Sequence, residues 1–160
     1  MRWFVNGLLG LLCVAFVAFA AAGGWFYWDR VELRGAELAR EELPALAKDQ
    51  VPKIFGYDYQ TVEGSLNTAY AMLTPEFRRT FQETANKDII PHARERQMIS
   101  QVNVVGAGMM DAHRDSGSVM VYMNQTWIDK SRQPLYNGSR IKVDYERVHG
   151  KWLINFIKVI

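Results

Sequence analysis

Four aspartates, Asp58, Asp111, Asp129 and Asp144, and three histidines, His92, His113 and His149, are the residues best suited to move a proton. Acid–base work needs such groups to converge, with at least one held away from water so that its pKa moves toward neutrality. Asp111 and Asp129 sit beside turn residues, and Asp144 falls on the polar positions of an alternating stretch, so none has a reason to be buried. The histidines lie 21 and 36 residues apart, which matches no metal-ligand spacing. Neither a serine nor the single cysteine, Cys13, stands in a nucleophile motif. The residue pattern points to binding rather than catalysis, with no cofactor and no metal.

The elements that would position any binding surface begin with the N-terminus. Trp3 to Trp28 is 26 residues without a charged side chain. A hydrocarbon core of roughly 30 Å needs about 20 apolar helical residues, so Phe4 to Ala22 is expected to span a membrane. Trp3 and Phe4 at one end and Trp25 to Trp28 at the other would form its aromatic belts. A cleaved secretory signal ending near Ala20 to Ala22 is the rival reading, although a discarded peptide has no use for a second belt. Arg2 precedes the stretch while Arg30, Arg34 and Arg40 follow it, so counting basic residues leaves the topology open. At 100° per residue Gly7, Gly10, Val14, Ala18 and Ala21 share one side, a small-residue face on which a partner helix could dock. Cys13 lies within this stretch. As the only cysteine it permits no internal disulfide, and bulky Leu12 before it argues against lipidation.

Net charge is +2 and charged residues are 22% of the chain, too balanced to argue for nucleic acid. Three segments are expected: residues 1–28 as the span, 29–56 as a juxtamembrane helical segment, and 57–160 as one exported domain. Leu33, Ala36 and Arg40 carry a helical pattern outward, and Pro44 and Pro52 should kink or break it. Thr61 reads as an N-cap before the stripe Leu66, Ala69, Tyr70 and Leu73. Thr74 and Pro75 open a further helix with Phe77, Phe81 and Ile89 on its inner face. From Ile99 the period becomes alternating. Residues 101–110, 118–128, 140–148 and 152–159 read as four antiparallel strands, with Asp115, Ser116 and Gly117 turning the first hairpin and His149 and Gly150 the last. The fold class is α+β: helices packed on one face of a curved antiparallel sheet, a cone whose open end could hold an apolar cavity. Met109, Met110, Met120 and Met123 would line such a cavity, and a lipid or sterol ligand there is one open alternative to plain core filling.

Tyr57-Asp58-Tyr59-Gln60-Thr61-Val62, Leu73-Thr74-Pro75-Glu76-Phe77, Asn124-Gln125-Thr126, Ser139 to Val143 and Val148 to Leu153 occur in an order that resembles the Mce-associated membrane proteins of actinobacterial envelopes. The resemblance covers roughly Ala36 to Ile160 and the preceding apolar stretch. It implies one transmembrane helix followed by a domain similar to nuclear transport factor 2 (NTF2-like), on the periplasmic side of the inner membrane. It further implies a non-catalytic accessory subunit that stabilises an Mce-type lipid importer of permease, ATPase and MCE-domain subunits. The chain departs from the family in lacking a basic tail before the span and in carrying Pro44 and Pro52. Tyr57, Tyr59 and Trp127 are candidates for the interface, though aromatic residues at such positions are more often core. An inner-membrane scaffold of the type IV secretion kind has the same layout and is the second reading.

Overall fold

A computed structural model of the chain describes residues 2–160, with side chains from Phe16 onward apart from Val17, Ala18, Ala21, Ala22 and Phe26. The small-residue face of Gly7, Gly10, Val14, Ala18 and Ala21 therefore lies outside the described side chains. Among the described residues no helix is long and apolar enough to cross a membrane, and most side chains of Phe4 to Ala22 fall outside those described.

One helix, α1, runs from Arg2 to Phe55. The break expected at Pro44 and Pro52 does not occur, for two physical reasons. The carbonyls that lose a partner belong to Arg40 and Lys48, which are exposed, so water can satisfy them. In addition Ala39, Leu43, Ala47, Val51 and Ile54 form a fully or almost fully buried stripe. Burial of each of the three larger residues contributes about 1.5–3 kcal/mol, of the same order as the roughly 3 kcal/mol that an interior proline costs. The stripe is also displaced from the expected one, because Leu33 is 59% exposed and the inward register starts at Gly35 and Ala39.

A two-residue strand, β1 (Tyr57–Asp58), follows, then α2 (Val62–Tyr70), α3 (Pro75–Thr84), a π-helical turn (Ala85–Ile89) and α4 (Ile90–Arg96). Thr74 caps α3 as its sequence demands, its hydroxyl accepting from Phe77 N at 3.4 Å. Thr61 precedes α2 but makes no side-chain cap bond. Phe77 and Phe81 pack against the main core, whereas Ile89 joins a second cluster built on Val62, Leu66, Ala85 and Ala93. The π-turn and the separate α4 carry no pattern distinct from a continuing helix. Gln97 ends α4 in the left-handed conformation at φ 53°.

Four long strands complete the sheet: β2 (Ile99–Ala112), β3 (Ser116–Ile128), β4 (Pro134–Val148) and β5 (Lys151–Val159). All pair antiparallel in the order β1-β2-β3-β4-β5, so the sheet has five strands rather than four. Val119, Val121 and Met123 of β3 and Ile141, Val143 and Tyr145 of β4 face α1 and are buried. Their alternation with Lys142, Asp144 and Glu146 is what period-two patterning requires. His149 and Gly150 have φ of 50° and 79°, positive at both central residues as the tightest hairpin turn demands. The first hairpin turns earlier than expected, at His113 to Asp115, with His113 N donating to Ser116 O. Ser116 and Gly117 belong to β3. Gly117 serves the core instead: a Cβ there would lie 2.6 Å from Leu43 Cδ1, so its bare backbone lets α1 approach the sheet.

Candidate functional site

The acidic residues do not assemble into a proton-transfer site. Asp58 Oδ1 accepts from Gln60 N at 2.9 Å, and Asp111 is bonded to His113 Nε2 at 3.0 Å. Asp144 accepts from Ser118 Oγ at 2.7 Å and from Lys142 Nζ at 2.9 Å. Asp129 is held below the usual carboxylate range by hydrogen bonds from Ser131 to its side chain. The four carboxylates lie at separate places in the fold, and apart from the β3–β4 bond of Ser118 to Asp144 their partners are within two residues. His92 Nδ1 lies 2.7 Å from Asp88 O within its own helical stretch, and His149 is taken up by the hairpin turn. Among the described residues no group of three metal-ligating side chains occurs.

The buried polar groups serve instead to fix α1 on the sheet. Tyr145, 2% exposed, donates to Gln50 Oε1 at 3.2 Å, and burial followed by the nearby charge of Asp49 raises its pKa well above 10. Ser100 Oγ donates to Phe55 O at 2.7 Å and accepts from Gln125 Nε2 at 2.9 Å. That pair satisfies a carbonyl in the last turn of α1, where helical partners run out. Trp152 Nε1 donates to Glu42 Oε2 at 3.0 Å, tying β5 to the same helix. Glu32 Oε1 accepts from Arg114 N at 3.3 Å at the β2–β3 turn. At that point Gly35 has no room for a side chain, since a Cβ would meet Arg114 Cγ at 2.6 Å and Cα at 2.9 Å.

The space between α1 and the sheet is thereby filled by Leu43, Val51, Tyr145 and their neighbours. The methionines expected to line a cavity are not brought together. Met123 is core and Met109 packs against it, while Met120 lies on the opposite face of β3 because alternate residues of a strand point in opposite directions. Met110 is exposed. Tyr57 and Tyr59 pack against the second cluster, burial raising the Tyr57 pKa, so both are half-buried rather than free. Trp127 is half-buried beside a concavity of about 170 Å³ that it shares with Arg96, Met98, Asp129, Gln133 and Leu135.

Two surfaces stand out by exposed apolar side chains. Beyond Gly35 the stripe of α1 that faces the sheet continues through Glu32, which meets Arg114 N, to Trp28 and Trp25, which are 67% and 77% exposed. Gly24, Trp25, Trp28, Asp29 and Glu32 line an open concavity there of about 550 Å³. The second surface is the first half of β4 with its flanks, including a concavity of about 460 Å³ at Val105, Tyr122, Gly138, Arg140 and Val159. Trp25 and Trp28 of the first belong to the expected aromatic belt. The second has no compositional mark, because Pro134 to Ser139 reads as a loop.

No family model matches the chain. It is 26% identical over 155 residues to outer membrane protein Rv1973 of Mycobacterium tuberculosis, covering 97% of each chain. An IcmL-like type IV secretion system protein from Legionella pneumophila superposes with a TM-score of 0.66 at 5% identity, over 76% of this chain and 91% of that one. The periplasmic domain of DotI superposes with a TM-score of 0.62 at 12% identity, over 75% and 94%. The structural likeness shows the fold alone: the chain is an α+β domain with its helices on one face of an antiparallel sheet, as in these two proteins.

Proposed function

We propose that the protein is a membrane-anchored, non-catalytic scaffold of the cell envelope, an accessory subunit that binds and stabilises an Mce-type lipid importer. The observation that carries this reading is the continuity of α1 from Arg2 to Phe55. Its C-terminal half is the spine of the domain core, and its N-terminal part holds the uncharged stretch Trp3 to Trp28. A span at Phe4 to Ala22 would then hold the domain on the extracytoplasmic side through a helix with no linker in it. Trp25 and Trp28 would lie at headgroup level, and the face of Gly7, Gly10, Val14, Ala18 and Ala21 would be free for a permease helix. The filled interior favours a structural role over ligand carriage, and the dispersed aspartates favour it over catalysis. The likeness to a mycobacterial outer membrane protein along 97% of both chains supports an envelope location.

A scaffold of a secretion-like machine is the second reading, favoured by the superposition on the IcmL-like protein and DotI. One experiment separates the two. Tagged protein is recovered from native membranes in mild detergent and its companions identified by mass spectrometry, alongside a Gly10→Leu, Ala18→Leu variant. Recovery of permease and MCE-domain subunits, weakened in the variant, is the expected result. Recovery of secretion components, or of the protein alone, refutes the lipid-importer reading.

A further inference from the structure

The helices cover one face of the sheet, and the register defines the other, since residues directly opposite in an antiparallel ladder point the same way. Gly108, Met120, Lys142 and Lys158 form one row of the uncovered face across β2, β3, β4 and β5, and Gly106, Tyr122 and Arg140 form the next. None of these residues belongs to either apolar cluster. The chain's own packing does not explain Gly106 and Gly108. Neither has a positive φ, and an added Cβ at either would meet nothing within 4 Å. The extra residues at the two irregularities of β2 are Val105 and Met110, not the glycines. Glycine inside a strand weakens it, and where neither φ, a bulge nor crowding requires it, it marks the close approach of another molecule. Val105 and Met110 flank the glycines at 65% and 51% exposure, and Tyr122 beside them is 52% exposed.

The same face is cationic over β4 and β5. Lys142 and Lys158 stand directly opposite each other, a like-charge pair that repels, with Arg140 on the same face of β4. Asp144 answers Lys142 alone, at 2.9 Å, and among the described residues neither Arg140 nor Lys158 has a carboxylate partner. Neighbouring strands are about 4.8 Å apart, so β4 lies about 10 Å from β2, roughly one helix diameter. We propose that this face receives an amphipathic helix of another protein, its apolar stripe on Gly106, Gly108 and Tyr122 and an acidic flank over Arg140, Lys142 and Lys158. A sheet face accepts a helix, as α1 shows on the opposite side, whereas an added strand needs an edge. A second copy does not supply the acidic flank. The exposed sides of α1 and of α3 and α4 mix Arg34, Arg40, Arg79 and Arg94 with their acids, and Glu63 of α2 is paired with Arg94 at 2.8 Å. An anionic bilayer is out of reach, because α1 runs alongside the sheet from Glu32 at Arg114 to Phe55 at Ser100 and the strands lead away from its anchored end. From Arg114 to Met120, opposite Lys142, is about 20 Å at 3.3 Å per residue, more than twice the screening length of about 8 Å. That exclusion of lipid rests on the anchored reading above; the open cationic face does not.

The test replaces Tyr122 with the photo-crosslinking residue p-benzoylphenylalanine in the full chain in native membranes and sequences the crosslinked peptide by mass spectrometry. The expected product is a peptide of a different protein, with apolar residues at helical spacing and Asp or Glu along one side of them. Gly108→Trp abolishes the crosslink by filling the approach, and it leaves the fold intact because nothing lies within 4 Å of its Cβ and tryptophan suits a strand. Arg140→Glu with Lys158→Glu, which spares the Lys142 to Asp144 pair, turns two attractions into repulsions and lowers the yield about tenfold. Raising salt from about 0.05 M to about 0.5 M weakens the crosslink of the chain with Arg140 and Lys158 intact, a reading that needs no charge variant. The proposal is overturned if the product is a second copy, a lipid, or a peptide without an acidic side, or if no crosslink forms. It is also overturned if Gly108→Trp leaves the yield unchanged, or if neither charge reversal nor salt lowers it. A peptide from an importer subunit and one from a secretion component support it equally, so its outcome is read separately from the pull-down above.

Discussion

Replacing Gly35 with alanine isolates the contact that seats α1 on the sheet. Two effects oppose each other. Alanine in a helix interior is favoured over glycine by about 1 kcal/mol. The new methyl would lie 2.6 Å from Arg114 Cγ, 2.7 Å from its Cβ and 2.9 Å from its Cα. Because the Cα belongs to the backbone of a tight turn, rotating the arginine side chain does not relieve the clash. Either α1 or the turn must shift, at a typical overpacking cost of about 1–3 kcal/mol, and the Glu32 to Arg114 N bond at 3.3 Å is lost with it. Clash exceeds propensity, so Gly35→Ala is expected to destabilise by up to roughly 2 kcal/mol. Gly64→Ala supplies the control, since Gly64 lies in α2 with nothing within 4 Å of an added Cβ, and should stabilise by about 1 kcal/mol. Urea unfolding of both variants in micelles, followed by tryptophan fluorescence, measures the difference. Equal stability of the two alanine variants would refute close packing of α1 on the β2–β3 turn.

The polar groups beneath α1 give two further tests. Tyr145→Phe and Gln50→Leu each strand a buried partner and should cost about 1–3 kcal/mol, with the double variant recovering part of the loss in a thermodynamic cycle. Tyr145 also makes stability depend on alkali. Its folded pKa is raised above the ordinary value of 10.0, so above pH 10 the unfolded chain releases a proton that the folded protein retains. Stability is therefore complete below pH 10 and falls as pH rises beyond it, and Tyr145→Phe should remove that decline in a pH series of urea melts. Ser100→Ala deletes the donor to Phe55 O and the acceptor for Gln125 Nε2 at a position 3% exposed. It should cost about 1–3 kcal/mol and speed amide exchange in the last turn of α1, and unchanged exchange there would show that the turn is held by other means.

Local chemistry alone determined much of the architecture. The Thr74-Pro75 helix start, the alternation of Ile141, Val143 and Tyr145, and the His149-Gly150 turn depend on neighbours within a few residues. Each was readable because propensity, capping and period are near-sequence properties. What failed was whatever packing overrides. Pro44 and Pro52 broke nothing, because a buried stripe on one side and water on the other carried the helix past them. Gly117 looked like a turn residue and proved to be clearance for Leu43, a contact between positions 74 apart in sequence. Met109, Met120 and Met123 looked like one lining until strand parity divided them between two faces. The start of β4 at Pro134, ahead of its pairing with β5 at Ile141, had no sequence signature, since it follows from which strands lie beside it. That depends on where β5 stops relative to β4, a register only the assembled sheet decides.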